Sequence, residues 1–74
     1  KIDLLEPAFA YLDIQGVGYE TRISLHTYSQ IKGKTQVKLY TFLHIKEDAH
    51  TLYGFFEMLE KKLFLELISI SGIG

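Results

Sequence analysis

From residue 36 to residue 46 the chain alternates without a break. Val37, Leu39, Thr41, Leu43 and Ile45 fall on one side and Lys38, Tyr40, Phe42, His44 and Lys46 on the other. A period of two belongs to a strand, and apolar bulk on both faces at the centre of the run means that neither face is left wholly to water. A long strand of this kind suits a small closed barrel, where it bends, pairs at both ends and contributes to more than one surface. The chain has 74 residues, 47% of them hydrophobic and 23% charged, which describes one globular unit. A chain of this length buries only about 60 to 65% of the surface its unfolded form exposes, so a thin margin of stability and docking against a neighbour are expected.

The remaining segments supply the other walls. Residues 1–5 read as a strand stub ended by Glu6 and Pro7, because proline brings no amide hydrogen to a ladder. Residues 9–15 alternate, with Ala10, Leu12 and Ile14 on one side and Tyr11 and Asp13 on the other. Gly16, Val17 and Gly18 then supply a reversal, and Tyr19, Thr21, Ile23 and Leu25 alternate back. Residues 26–31 read as one turn of helix opened by Ser24 or Thr27 and stopped by Lys32, Gly33 and Lys34. Past the polar tip at residues 47–50, residues 51–56 return as the partner of the long strand. Phe56, Leu59, Leu63, Phe64, Leu67, Ile68 and Ile70 then form one broad stripe at helical spacing, with Met58 and Leu65 on the opposite face as a second contact surface. Glu57 stands at the helix's cap position, and Glu60 at its third residue reaches back toward free amides. The predicted fold is mainly β: a five-stranded OB-type barrel with a short inter-strand helix and a C-terminal helix. Residues 1–56 form the barrel and residues 57–74 the closing helix with the start of a further element.

Several function classes are excluded by what the residues lack. With no cysteine there is neither a disulfide framework nor a thiolate metal site. His26, His44 and His50 have no ligand-like spacing, so no metal is expected. No glycine-rich loop with its lysine is present to hold a nucleoside triphosphate, and Glu47, Asp48 and His50 come with no pocket or oxyanion donors for hydrolysis. Neither a catalytic role nor a cofactor is expected. The apolar runs fall far short of the roughly 20 residues a membrane span needs, and no leader pattern opens the chain, so the expected setting is the cytoplasm. The formal net charge is −1. A domain that grips nucleic acid alone usually carries a basic excess, so any phosphate neutralisation here falls largely to residues outside these 74 or to backbone amides.

Three segments carry a resemblance. They are Gly16-Val17-Gly18-Tyr19-Glu20; Lys46-Glu47-Asp48-Ala49-His50 running into Leu52-Tyr53-Gly54-Phe55; and Leu63-Phe64 leading to Ile68-Ser69-Ile70-Ser71-Gly72-Ile73-Gly74. In order and spacing they resemble the N-terminal domain of the RuvA family along the whole chain. Lys46 stands where the family more usually has arginine, and Glu57 and Met58 replace a commoner Asp-Lys start to the helix.

The resemblance implies a four-fold ring that holds a Holliday junction, a four-way DNA junction, open and square. It implies a separate hexameric motor, RuvB, that hydrolyses ATP and pumps the arms, and a junction resolvase, RuvC, as a further partner. It assigns Glu47 and Asp48 to an acidic pin at the crossover, with Lys46 as a supporting cation. Gly72, Ile73 and Gly74 would form the first hairpin of a helix-hairpin-helix element, where missing side chains let backbone amides approach a phosphate. Read without the resemblance, the same residues are a solvated acidic turn and a plain helix stop. Two other readings stand beside it: a generic single-strand-binding barrel that stacks bases on Tyr40, Phe42 and His44, and an oligomerisation module.

Overall fold

The computed structural model describes residues 1–71. In chain order the elements are β1 (Ile2–Glu6), β2 (Phe9–Ile14), β3 (Val17–Arg22), α1 (Leu25–Ile31), β4 (Tyr40–Ile45), β5 (His50–Phe55) and α2 (Met58–Ser71). The strands form one five-stranded sheet in the order β1-β2-β3-β5-β4, the OB-type arrangement with a helix between the third and fourth strands. All neighbours are antiparallel except β3 and β5, which run parallel and share the single register pair Arg22 with Tyr53.

The long strand expected over residues 36–46 is shorter, and the barrel is correspondingly open. β4 begins at Tyr40 because its partner β5 ends at Phe55, opposite Tyr40, where the chain turns away into α2. Among the described residues no strand forms a ladder with residues 36–39. Val37 and Leu39 still turn inward and pack with Ile2, Leu5, Ile23 and Phe56 around the buried Ala10, Leu12 and Ile31. The Ile2 amide donates to the Thr35 carbonyl at 2.9 Å, so β1 touches this segment without forming a ladder with β4.

Two further boundaries move. Gln15 (φ 51°) and Gly16 (φ 84°) both take positive φ and make the β2–β3 turn, so Val17 and Gly18 already belong to β3. Positive φ at both central positions gives a turn whose twist matches that of paired strands. The Asp13 carboxylate accepts the Gly16 amide at 2.8 Å and steadies the turn. β3 ends at Arg22, and Leu25, expected on a strand, is the first residue of α1 and is exposed. Ser24 is the cap: its hydroxyl accepts the Thr27 amide at 3.1 Å. Gly33, at φ 86°, ends the helix in the left-handed conformation that glycine adopts cheaply.

α2 lies on the face of β4 and β5, but not by the whole stripe. Phe64 enters an aromatic cluster, with ring centroids 4.8 Å from Tyr53, 5.3 Å from Phe55 and 6.1 Å from Phe42. Ile68 and Leu65 are half-buried, so Leu65 does not lie on an opposite, free face. Leu59, Leu63 and Leu67 remain 67%, 51% and 66% exposed. Beside this ridge, Ile23, Tyr53, Phe55, Leu63 and Phe64 line an apolar groove of about 390 Å³.

Candidate nucleic-acid interface

The β4–β5 hairpin places the acidic pair. Ile45 pairs with His50, and the Lys46 amide donates to the Ala49 carbonyl at 2.8 Å, which leaves Glu47 and Asp48 as the turn itself. Both are exposed, and among the described residues neither carboxylate has a hydrogen bond or an ion pair. Two anions with no internal partner are free to act on whatever approaches the tip. Lys46 is exposed at the foot of the turn. Gly72, Ile73 and Gly74, the expected phosphate-binding hairpin, lie outside the described residues.

Tyr40, Phe42 and His44 are half-buried rather than open, with α2 beside Phe42 and His44. Phe42 lies 6.5 Å from Tyr53 and packs edge-on to Phe64, so its ring is already used for packing. The His44 Nε2 atom is buried with no hydrogen-bond partner. Single-strand stacking on this face would require α2 to leave it.

The start of α2 is clasped to α1 rather than capped in the expected way. Glu60 takes the Ser24 hydroxyl at 2.5 Å and the Thr27 hydroxyl at 2.8 Å, while the Thr27 oxygen accepts the Phe56 amide at 3.1 Å. The Glu60 carboxylate thus reaches across to another helix instead of back to its own amides. Glu57 meets His26 at 2.5 Å, an exposed pair of the kind worth about 0 to 1 kcal/mol. The clasp fixes where α2 leaves the sheet, and with it the aromatic packing behind the acidic hairpin.

One feature escaped the sequence reading. Phe9 and Arg22 are register partners on β2 and β3, and the Arg22 guanidinium carbon lies 5.0 Å from the Phe9 ring centroid. Phe9 stacks in turn on Tyr11 at 6.5 Å. Tyr11 faces Glu20 across the same hairpin; desolvation, then the charges of Glu20 and Glu6, hold its phenol above its ordinary pKa. The signal was present in the hairpin register, which the turn at Gln15 and Gly16 sets. Among the described residues no three His, Asp or Glu side chains converge as a metal ion would need, and no helix is long and apolar enough to cross a membrane.

Known proteins resemble this chain along its whole length. The family model described as the RuvA N terminal domain matches residues 1–54. A protein of Cytophaga hutchinsonii named Holliday junction branch migration complex subunit RuvA is 61% identical over all 74 residues, which cover 37% of its length. The protein of the same name from Bacteroides fragilis is 56% identical over 74 residues, again 37% of its length, and the one from Amoebophilus asiaticus is 49% identical over 75 aligned positions. The chain therefore spans less than two fifths of these relatives. With the family model matching most of its residues and such relatives aligned along all of it, this chain belongs to the RuvA N-terminal domain family.

Proposed function

We propose that this chain is the barrel portion of a non-catalytic, Holliday-junction-binding subunit that supports branch migration driven by a partner motor. The observation that carries the reading is the pair Glu47 and Asp48, exposed at the end of a hairpin and unpaired among the described residues. In a four-fold ring, two carboxylates from each chain gather around one axis, where the backbone phosphates of a four-way junction would otherwise converge. At 4 Å each pair of like charges costs about 1 kcal/mol in bulk water and about 4 kcal/mol near a protein surface, and salt screens it over about 8 Å. The strands are held apart at the crossover and re-pair as they pass.

Other contacts complete the mechanism. Lys46 beside the turn draws a neighbouring phosphate toward the hairpin's foot without cancelling the tip. Gly72, Ile73 and Gly74 offer backbone amides to a second phosphate in a helix-hairpin-helix element. ATP hydrolysis belongs to a hexameric motor of the RuvB kind and strand cleavage to a resolvase of the RuvC kind, both acting in the cytoplasm. The names of the relatives support the complex, and the accessible acidic turn supports the role of this part in it.

The test is Glu47→Gln with Asp48→Asn in a full-length protein carrying this sequence, assayed with its motor on a four-way junction. The migration rate is expected to change severalfold while the Kd for the junction moves by less than about threefold. An unchanged rate overturns the pin.

A further inference from the structure

The two hairpins diverge from one point. β3 and β5 are parallel and share only the pair Arg22 with Tyr53. Followed back from there, β3 leads to the turn at Gln15 and Gly16, and β5 leads to the acidic turn at Glu47 and Asp48. The space between the strands is therefore a V whose mouth is flanked by the two turns. It holds a polar cleft of about 270 Å³ lined by Phe9, Glu20, Arg22, His50, Thr51 and Leu52.

We propose that this cleft seats one backbone phosphate of the DNA strand that the acidic turn deflects, with Arg22 as the residue that holds it. The inference rests on the pin reading above. Arg22 is exposed, and among the described residues no carboxylate pairs with it, Glu20 on the same strand included. Its guanidinium lies over the Phe9 ring at 5.0 Å. An aromatic ring under the guanidinium limits its motion while the in-plane N–H groups stay free, the geometry that grips a phosphate with two parallel bonds.

His50 and the Thr51 hydroxyl come from the strand that rises directly into the acidic turn, so a phosphate at Arg22 is beside the hairpin that carries Glu47 and Asp48. Glu20 bounds the seat on one side. A phosphate displaced toward it meets a like charge, which fixes one stopping place along the cleft. Repulsion at the tip and attraction at its root together give the strand a direction: away from the axis and into the V.

The experiment measures junction affinity as a function of salt in a full-length protein carrying this sequence, comparing wild type, Arg22→Gln and Arg22→Lys, with linear duplex in parallel. Neutralising one phosphate contributes about 0.9 to the slope of log K against log salt. Arg22→Gln is expected to flatten the junction slope by roughly that amount per engaged chain and to weaken junction binding about tenfold at low salt, leaving duplex binding unchanged. Arg22→Lys keeps the slope but loses a few-fold in affinity, because the charge stays and the planar fork is gone. An Arg22→Gln slope equal to wild type overturns the seat, as does an equal loss on linear duplex or an Arg22→Lys slope as flat as that of Arg22→Gln. Since Glu47 and Asp48 remain intact in these variants, a migration defect in the double amide variant together with an unchanged Arg22→Gln slope would sink the seat and leave the pin standing.

Discussion

Gly54 shows how much a single position in this molecule is asked to do. A β-carbon there would lie 2.7 Å from Thr21 Cγ2 and 3.1 Å from Leu39 Cδ1, because β5 crosses β3 closely at the one place where they pair. Neither neighbour yields easily: Thr21 is buried and β-branched, and Leu39 belongs to the core packing. Gly54→Ala is expected to destabilise the fold by about 1 to 3 kcal/mol, the usual range for overpacking, as read by urea denaturation. Thr21 itself offers the opposite change. Its hydroxyl is buried with no partner, and such a group costs about 1 to 3 kcal/mol. Thr21→Val keeps the shape and removes the orphan, so the urea midpoint should rise; a lower midpoint would mean that the hydroxyl is satisfied after all. Neither residue's importance could be read locally. Gly54 stood out in the sequence only as part of the motif Leu52-Tyr53-Gly54-Phe55, and its reason lies in two strands distant along the chain.

At the scale of elements, the clasp between α1 and α2 holds what the sheet alone does not. Thr27 Oγ1 both donates to Glu60 and accepts the Phe56 amide, and Thr27 is fully buried. Thr27→Val would leave that amide and one carboxylate oxygen without their partner, at a cost of about 1 to 3 kcal/mol. Amide hydrogen exchange at Phe56 should speed up more than at Leu12 in β2; equal acceleration at both would mean a loss of global stability rather than a loosened joint. The strands and helices were largely legible in the sequence, because a period of two and a period of 3.6 are local properties. Their registers were less so. A reversal over Gly16, Val17 and Gly18 would set Phe9 opposite Leu25, whereas the turn at Gln15 and Gly16 sets it opposite Arg22 and buries Ala10 beside Thr21. Matching the apolar sides of the two strands would have chosen the second register. The length of β4 and the side of α2 that meets the sheet were not legible in this way. The first depends on where β5 ends, and the second on which part of a broad apolar stripe Phe64 anchors.

For the whole molecule, the balance of charge decides what these 74 residues do by themselves. Eight lysines and arginines face nine aspartates and glutamates, for a formal net charge of −1, and the two anions at the hairpin turn have no partner among the described residues. These residues therefore bring no basic excess to attract a polyanion at long range, and a phosphate approaching the tip would meet a like charge. The 74-residue chain alone should bind a four-way junction no more tightly than the roughly 10⁻⁴ to 10⁻⁶ M typical of non-specific contacts at physiological salt. A full-length protein carrying it should bind about a thousandfold more tightly and prefer junction to duplex. In the isolated chain the acidic pair has no crossover to organise and can only repel. Glu47→Gln with Asp48→Asn should there raise DNA affinity by a few-fold, with the gain fading as salt rises past the point where the Debye length is about 8 Å. In the proposed ring the same substitutions are expected to act chiefly on migration rate. Fluorescence anisotropy on the short chain and a migration assay on the long one separate the two. An affinity gain of equal size in both settings, with no change in rate, would make the pair a solvated turn and nothing more.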